Sequence, residues 1–144
     1  MIYRNIGALI ANQQTLTMPP TGTVLDAACL MAERRVGAIA VVDRGDLVGL
    51  FTERDLLNRV VALGRDPGAV TINEVMTHRP VTIREHQSLA EGLDIMFGHH
   101  FRHLPVLDEA GALLGVLSCR DIPPSYWVMR ERWIEAHQSI ASVA

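Results

Sequence analysis

The stretch Gly49-Leu50-Phe51-Thr52-Glu53-Arg54-Asp55 recurs 66 residues later as Gly115-Val116-Leu117-Ser118-Cys119-Arg120-Asp121. Both copies run glycine, two apolar residues, a hydroxyl residue, two further residues and an aspartate. Each follows an apolar run (39–42, 104–107), an Asp-led turn and a second apolar run. Val24 aligns with Leu89, Met31 with Met96 and Asp43 with Asp108 at an offset of 65, and one extra turn residue makes it 66 beyond that point. Such a chain is constrained to fold as two copies of one half-unit, each reading strand, helix, strand, strand, helix and each carrying one small polar constellation.

Within the first half, Thr23 and Asp26 form a box-like helix start, and Val24, Ala28 and Met31 line one face of the helix that follows. Glu33, Arg34 and Arg35 close it in solvent. Residues 38–42 are continuous and β-branched, as in a strand buried on both faces. Asp43-Arg44-Gly45-Asp46 is turn chemistry, and 47–51 is the returning strand. Thr52 then caps a helix expected to turn Leu56, Leu57, Val60 and Val61 inward, with Gly64 ending it. In the second half Thr71 and Glu74 start one turn, 81–83 is extended, and Ser88 with Glu91 caps a helix burying Leu89, Leu93 and Met96. Residues 103–107 and 113–117 are the paired strands. Residues 1–14 read as a short helical lead with Ile6, Leu9 and Ile10 as apolar contacts. Pro123-Pro124 interrupts the last helix, which restarts near Ser125. Tyr126, Met129, Trp133, Ala136 and Ile140 then form an apolar stripe, packed on its own domain or on a second subunit, with Arg130, Arg132 and Glu135 away from it.

At 144 residues and a net charge of −3, the chain is one compact domain or two small ones sharing a core, with no electrostatic case for nucleic acid as partner. No apolar run suits a membrane span, and the opening residues are too broken by Arg4, Asn5, Gly7 and Asn12 for a signal peptide, so a cytoplasmic location is expected. Cys29 and Cys119 lack metal-like spacing and read as buried or semi-buried reduced thiols. His99, His100 and His103 lack the further donors that structural zinc requires; they read as surface histidines, or as phosphate or base contacts. There is no nucleophile–base pair, phosphate-binding P-loop or dinucleotide fingerprint, so no enzyme is expected and no cofactor is required.

The ordered set Val36-Gly-Ala-Ile-Ala-Val-Val-Asp43, Leu47-Val-Gly-Leu-Phe-Thr-Glu-Arg-Asp55, Glu74-Val-Met-Thr77, Pro80-Val-Thr82, Phe101-Arg-His-Leu-Pro-Val106 and Leu114-Gly-Val-Leu-Ser-Cys-Arg-Asp121 resembles the tandem CBS-domain pair, or Bateman module, over roughly residues 5–122. The resemblance implies an α/β fold of two βαββα repeats, 1–68 and 69–124, packed with pseudo-twofold symmetry, plus a C-terminal helix at 125–144. It also implies clefts between the repeats that take AMP, ADP or ATP, or S-adenosylmethionine or NAD. A homodimer is implied as well, and because nothing else in the chain is available to be regulated, a protein partner in trans is expected.

The residues themselves suit such a ligand. An aspartate one turn into a helix accepts hydrogen bonds from ribose hydroxyls. Phosphate favours the helix start, where free amides and the Thr52 or Ser118 hydroxyl donate. Gly49 and Gly115 permit close backbone approach. Adenine would lie against Gly37, Ala38 and His103. Arg102 forks onto phosphate oxygens, so a phosphate is better served where Ser118, Arg120 and Asp121 lie than where Thr52, Arg54 and Asp55 lie. Both hydroxyl–aspartate pairs are equally respectable helix caps, and a ligand-free dimerisation or interaction module remains the alternative.

Overall fold

The computed structural model describes residues 5–141. The first half comprises α1 (Ile6–Ile10), β1 (Thr17–Met18), α2 (Val24–Arg34), β2 (Ala38–Asp43), β3 (Asp46–Thr52) and α3 (Glu53–Leu56), which runs into a π-helical turn at Leu57–Val61. The second has α4 (Ile72–Val75), β4 (Thr77–His78), β5 (Ile83–Arg84), α5 (Leu89–His99), β6 (His103–Leu107), β7 (Leu113–Ser118) and a 3₁₀ turn at Cys119–Asp121. Helix α6 (Pro124–Ala141) follows. The strands form two sheets, β1-β2-β3-β4 and β5-β6-β7. In each, a short first strand pairs parallel to the second and a hairpin closes antiparallel.

The hairpins share an irregularity that explains the repeated glycine. Register slips between Val41 and Val42 opposite Gly49, and between Val106 and Leu107 opposite Gly115. A bulge bends the strand, and a glycine beside it admits a neighbour. A Cβ on Gly49 would collide with Sδ of the buried Met76, and one on Gly115 would lie 2.6 Å from Gln13 Oε1. The close approach expected of these glycines is therefore made by the chain itself. Gly49→Ala is expected to cost about 1–3 kcal/mol by overpacking, read as a lower urea midpoint at unchanged m-value. The first turn has positive φ at both Arg44 and Gly45, as a two-residue hairpin loop demands.

The two halves exchange their leading segments. Ile6 and Ile10 are buried among Ile83, Leu89, Leu93, Met96, Leu104, Val106 and Leu117 of the second half. Reciprocally, Val70, Ile72, Val75 and Met76 complete the first core around Val24, Met31, Ile39, Val41 and Phe51. The hydrogen bonds repeat the exchange: the amides of Ile6 and Gly7 donate to Gln87 and Glu85 carbonyls, and those of Ile72 and Asn73 to Gly22 and Pro20. At the sheet edges the copies differ. Strand β4 covers β3 at Gly49 and Leu50 with backbone, whereas the Gln13 side chain covers β7, donating to Val116 O at 2.9 Å and accepting from Val116 N at 2.7 Å. Neither core is complete without chain from the other half, so the repeats fold as one unit.

The Ser88–Glu91 and Thr71–Glu74 caps form as full boxes. Thr23 accepts from the Asp26 amide without the reciprocal bond. Several expectations need correction. Helix α2 buries Ala27 rather than Ala28, and Cys29 is exposed on its outer face. After α3, Val60 is buried, but Leu57 is 59% and Val61 60% exposed. A π turn takes more residues per turn than an α-helix, so the inward stripe shifts and these two side chains leave the core. The last helix begins at Pro124, a residue suited to the first helical position. It packs through Tyr126 of the expected stripe and through Trp127 beside it, whereas Met129 of that stripe is 65% exposed. Trp127 meets the Phe97 ring edge-on at 5.3 Å, and the Arg130 guanidinium lies 3.5 Å from that ring's centroid. The side chains of Trp133 and Ile140 lie outside the described residues.

Candidate functional site

Two clefts open between the repeats, each built crosswise. In one, Leu16, Val36, Gly37 and Ala38 of the first half face Ser118, Arg120 and Asp121 of the second. In the other, Val81, Phe101, Arg102 and His103 of the second half face Thr52, Arg54 and Asp55 of the first. The crossing follows from the hairpins: each motif begins where its returning strand ends, beside the start of its own outgoing strand. Glu53 N donates to Gly37 O at 3.0 Å, and Cys119 N to Arg102 O at 2.9 Å. All ten residues singled out from the sequence line one cleft or the other, with Gly37, Arg102 and His103 lining both. Arg102 is thus not confined to the Ser118 side.

The helix-start amides are largely committed. Glu53 N and Cys119 N bond the strand starts, while Asp55 N and Arg120 N donate to the Thr52 and Ser118 hydroxyls at 3.4 and 3.2 Å. An anion here is left mainly to side chains. Among the described residues the ion pairs are Arg59–Asp55 and Arg65–Glu74, so Arg35, Arg102 and Arg120 around the Ser118 cleft are unpaired. In the Thr52 cleft Arg54 Nη1 already donates to His100 O at 3.1 Å.

The aspartates differ in the same sense. Asp55 is buried; one oxygen accepts from Thr52 N at 3.0 Å and from Thr52 Oγ1 at 3.2 Å, and the other lies 3.6 Å from Arg59 Nε. Burial raises its pKa, outweighing the Thr52 hydrogen bonds and the Arg59 charge that lower it. Asp121 accepts from Ser118 N at 2.7 Å through Oδ2 alone, leaving Oδ1 for a ligand. Capping and binding are therefore separable in the second motif and merged in the first. The Thr52 cleft is the larger, about 280 Å³ against about 180 Å³, so size and polar readiness point to different clefts.

Beyond those ten, Arg35, Glu53 and Phe101, which the sequence reading did not single out, also contribute, as do His99 and His100, which it read as surface histidines or as phosphate or base contacts. Arg35 and Glu53 line the Ser118 cleft, Glu53 lines the other as well, and His99, His100 and Phe101 wall the Thr52 cleft. Arg35 and His100 occupy equivalent left-handed positions after α2 and α5, with φ of 55° and 58°. The 65-residue register carries His100 onto Arg35, and was the signal that could have found it. His99 stacks on Phe101 at 5.1 Å. Among the described residues no three His, Cys, Asp or Glu side chains are gathered as metal donors, and no helix is long and apolar enough to cross a membrane.

His103 is half-buried, and that burial lowers its pKa despite the Glu53 and Asp121 charges; Arg120 and Arg102 lower it further. The unfolded chain takes up a proton near the ordinary 6.5 while the folded chain does not. The stability due to neutral His103 is thus complete above that value and is lost as pH falls through the window below it. Melting curves from about pH 7.5 to 5.5 should show this slope, reduced in His103→Gln; an equal slope in both proteins would refute the assignment.

A family model for the CBS domain matches residues 6–62 and again 72–122. The CBS domain-containing protein YhcV of Bacillus subtilis is 38% identical over 109 residues, 76% of each protein. MK0525 of Methanopyrus kandleri is 32% identical over 114 residues, 78% of this chain but 58% of that longer relative. Among solved structures, the CBS domain protein PAE2072 of Pyrobaculum aerophilum, complexed with AMP, superposes with a TM-score of 0.79 at 27% identity, covering 88% of this chain and 96% of that one. With two matched repeats, their mixed α/β halves related by a pseudo-twofold and crossed clefts between them, the chain belongs to the CBS-domain family as a tandem pair.

Proposed function

We propose that this CBS pair is a non-catalytic sensor that binds an adenosine-containing ligand, AMP, ADP or ATP, in the Ser118 cleft. The observation that carries the reading is the gathering of three unpaired guanidinium groups, Arg35, Arg102 and Arg120, beside an aspartate with one uncommitted oxygen. Arginine forks onto phosphate oxygens, Asp121 accepts from ribose hydroxyls, and Leu16, Val36 and Ala38 offer an apolar wall to a base. The similar PAE2072 structure, with its AMP, supports the ligand class. Ligand occupancy regulates a partner in trans only by favouring one of two states. Calorimetric titration with AMP, ADP, ATP, S-adenosylmethionine and NAD tests the reading: a micromolar isotherm with an adenine nucleotide supports it, and no heat with any of them contradicts it.

A second reading, an interaction module, draws on the outer surface. Leu57, Val61 and Leu63 lie 59%, 60% and 68% exposed along the turn after α3. We assign them to a homodimer contact, which is compatible with the sensor. Sedimentation is expected to give a dimer at tens of micromolar that weakens in Leu57→Ser/Val61→Ser. A wild-type monomer would remove the contact.

A further inference from the structure

Gly37, Glu53, Arg102 and His103 line both clefts. They form a thin wall at the pseudo-twofold axis. A Cβ built on Gly37 would lie 3.1 Å from His103 Cε1 and 3.3 Å from Glu53 Cδ. Backbone, imidazole and carboxylate therefore meet with no room for another group between them. The symmetry that supplies each cleft with its own hydroxyl–aspartate motif does not duplicate this wall. Arg102 has Gly37 as its counterpart, and Glu53 has Cys119. One guanidinium and one carboxylate serve two sites.

We infer that the two clefts are negatively coupled through this wall: an anion held by Arg102 in the Ser118 cleft weakens the binding of a second in the Thr52 cleft. The inference rests on the nucleotide reading above. Arg102 is a single fork and satisfies one phosphate at a time. Once it turns to the Ser118 cleft, that cleft has Arg35, Arg102 and Arg120. The Thr52 cleft is left with Arg54, already donating to His100 O, beside Asp55 and the Glu53 carboxylate that both clefts share. The bound phosphate adds like charge across a wall that both clefts share. The clefts therefore fill in order, Ser118 first. Coupling between binding sites is reciprocal and spans about 5–150-fold.

AMP titrated into the full chain by calorimetry is expected to bind in two steps, the second about tenfold or more weaker. Arg35→Ala/Arg120→Ala disables the Ser118 cleft without touching the wall. The Thr52 cleft of this variant is expected to bind AMP about fivefold or more tightly than the second wild-type step. In Arg102→Ala the gap between the two steps is expected to narrow, leaving only the repulsion between the two phosphates. If only one AMP binds to the wild type and the double variant binds one with a different affinity, the coupling holds in its strong form; one site of equal affinity in both proteins overturns it. A Thr52-cleft affinity equal to the second wild-type step, or two equal wild-type sites, overturns the coupling while leaving nucleotide binding intact. A double variant that binds nothing also overturns it, since no second site exists. Absence of any heat in the wild type overturns the nucleotide reading and the coupling together. Melting temperatures of both variants are checked against the wild type, and Arg120→Gln replaces Arg120→Ala if the latter unfolds.

Discussion

Ile6→Ala is expected to lower the stability of the whole chain by about 2–5 kcal/mol, the usual cost of truncating a fully buried isoleucine. Ile6 has no exposed surface, and its Cδ1 lies 3.1 Å from where a Cβ on Gly92 would stand, so α5 offers no flexible side chain there to fill the gap. Against the ~5–15 kcal/mol that holds a domain of this size together, the loss is large. Its location is the informative part. Ile6 belongs to the first repeat by sequence but to the second core by packing. Hydrogen exchange should therefore accelerate first in β5–β7. Ile72→Ala is the mirror case and should loosen β2 and β3. Loss of protection confined to β1–β3 in Ile6→Ala would mean that each repeat folds around its own leading segment.

Asp121→Ala is expected to weaken AMP binding by on the order of 10²-fold, since hydrogen bonds to a charged acceptor contribute about 1.5–3 kcal/mol each. It also removes the acceptor of Ser118 N, a cap worth about 1 kcal/mol, so stability falls slightly. Asp121→Asn separates the two roles: it keeps an acceptor for the cap and loses the charge, so binding falls while the melting temperature holds. Asp55→Ala should behave in the opposite way. Both its oxygens face internal partners, so the change should appear in the melting curve and leave the first AMP step within about threefold, below the effect of one neutral hydrogen bond. Equal binding losses from Asp55→Ala and Asp121→Ala would show that the hydrogen-bond status of the two carboxylates does not rank the clefts.

How much of this was legible in the sequence follows from what repeats and what does not. The duplicated register placed every strand of the hairpins, and the caps at Thr71 and Ser88, because turns, caps and alternating burial are local properties of a few residues. It also brought forward ten residues that the fold gathers at two clefts. The exchange of α1 and α4 was not legible: a five-residue helix with two apolar contacts has no local mark of which core it joins. The exposure of Leu57 and Val61 was hidden because a π turn changes the period on which an inward face is read. Arg35 looked like a solvated helix end, and in isolation it is one; only the strand start of the other half turns it into the rim of a cleft. Arg102 was assigned to one side because a sequence cannot show a residue standing between two.

The most direct measurement is a crystal structure of the chain grown with AMP. Nucleotide density is expected in the Ser118 cleft, with phosphate oxygens within hydrogen-bonding distance of at least two of Arg35, Arg102 and Arg120, and ribose hydroxyls on Asp121. AMP bound elsewhere with that cleft empty, or its phosphate turned away from all three guanidinium groups, would contradict that expectation.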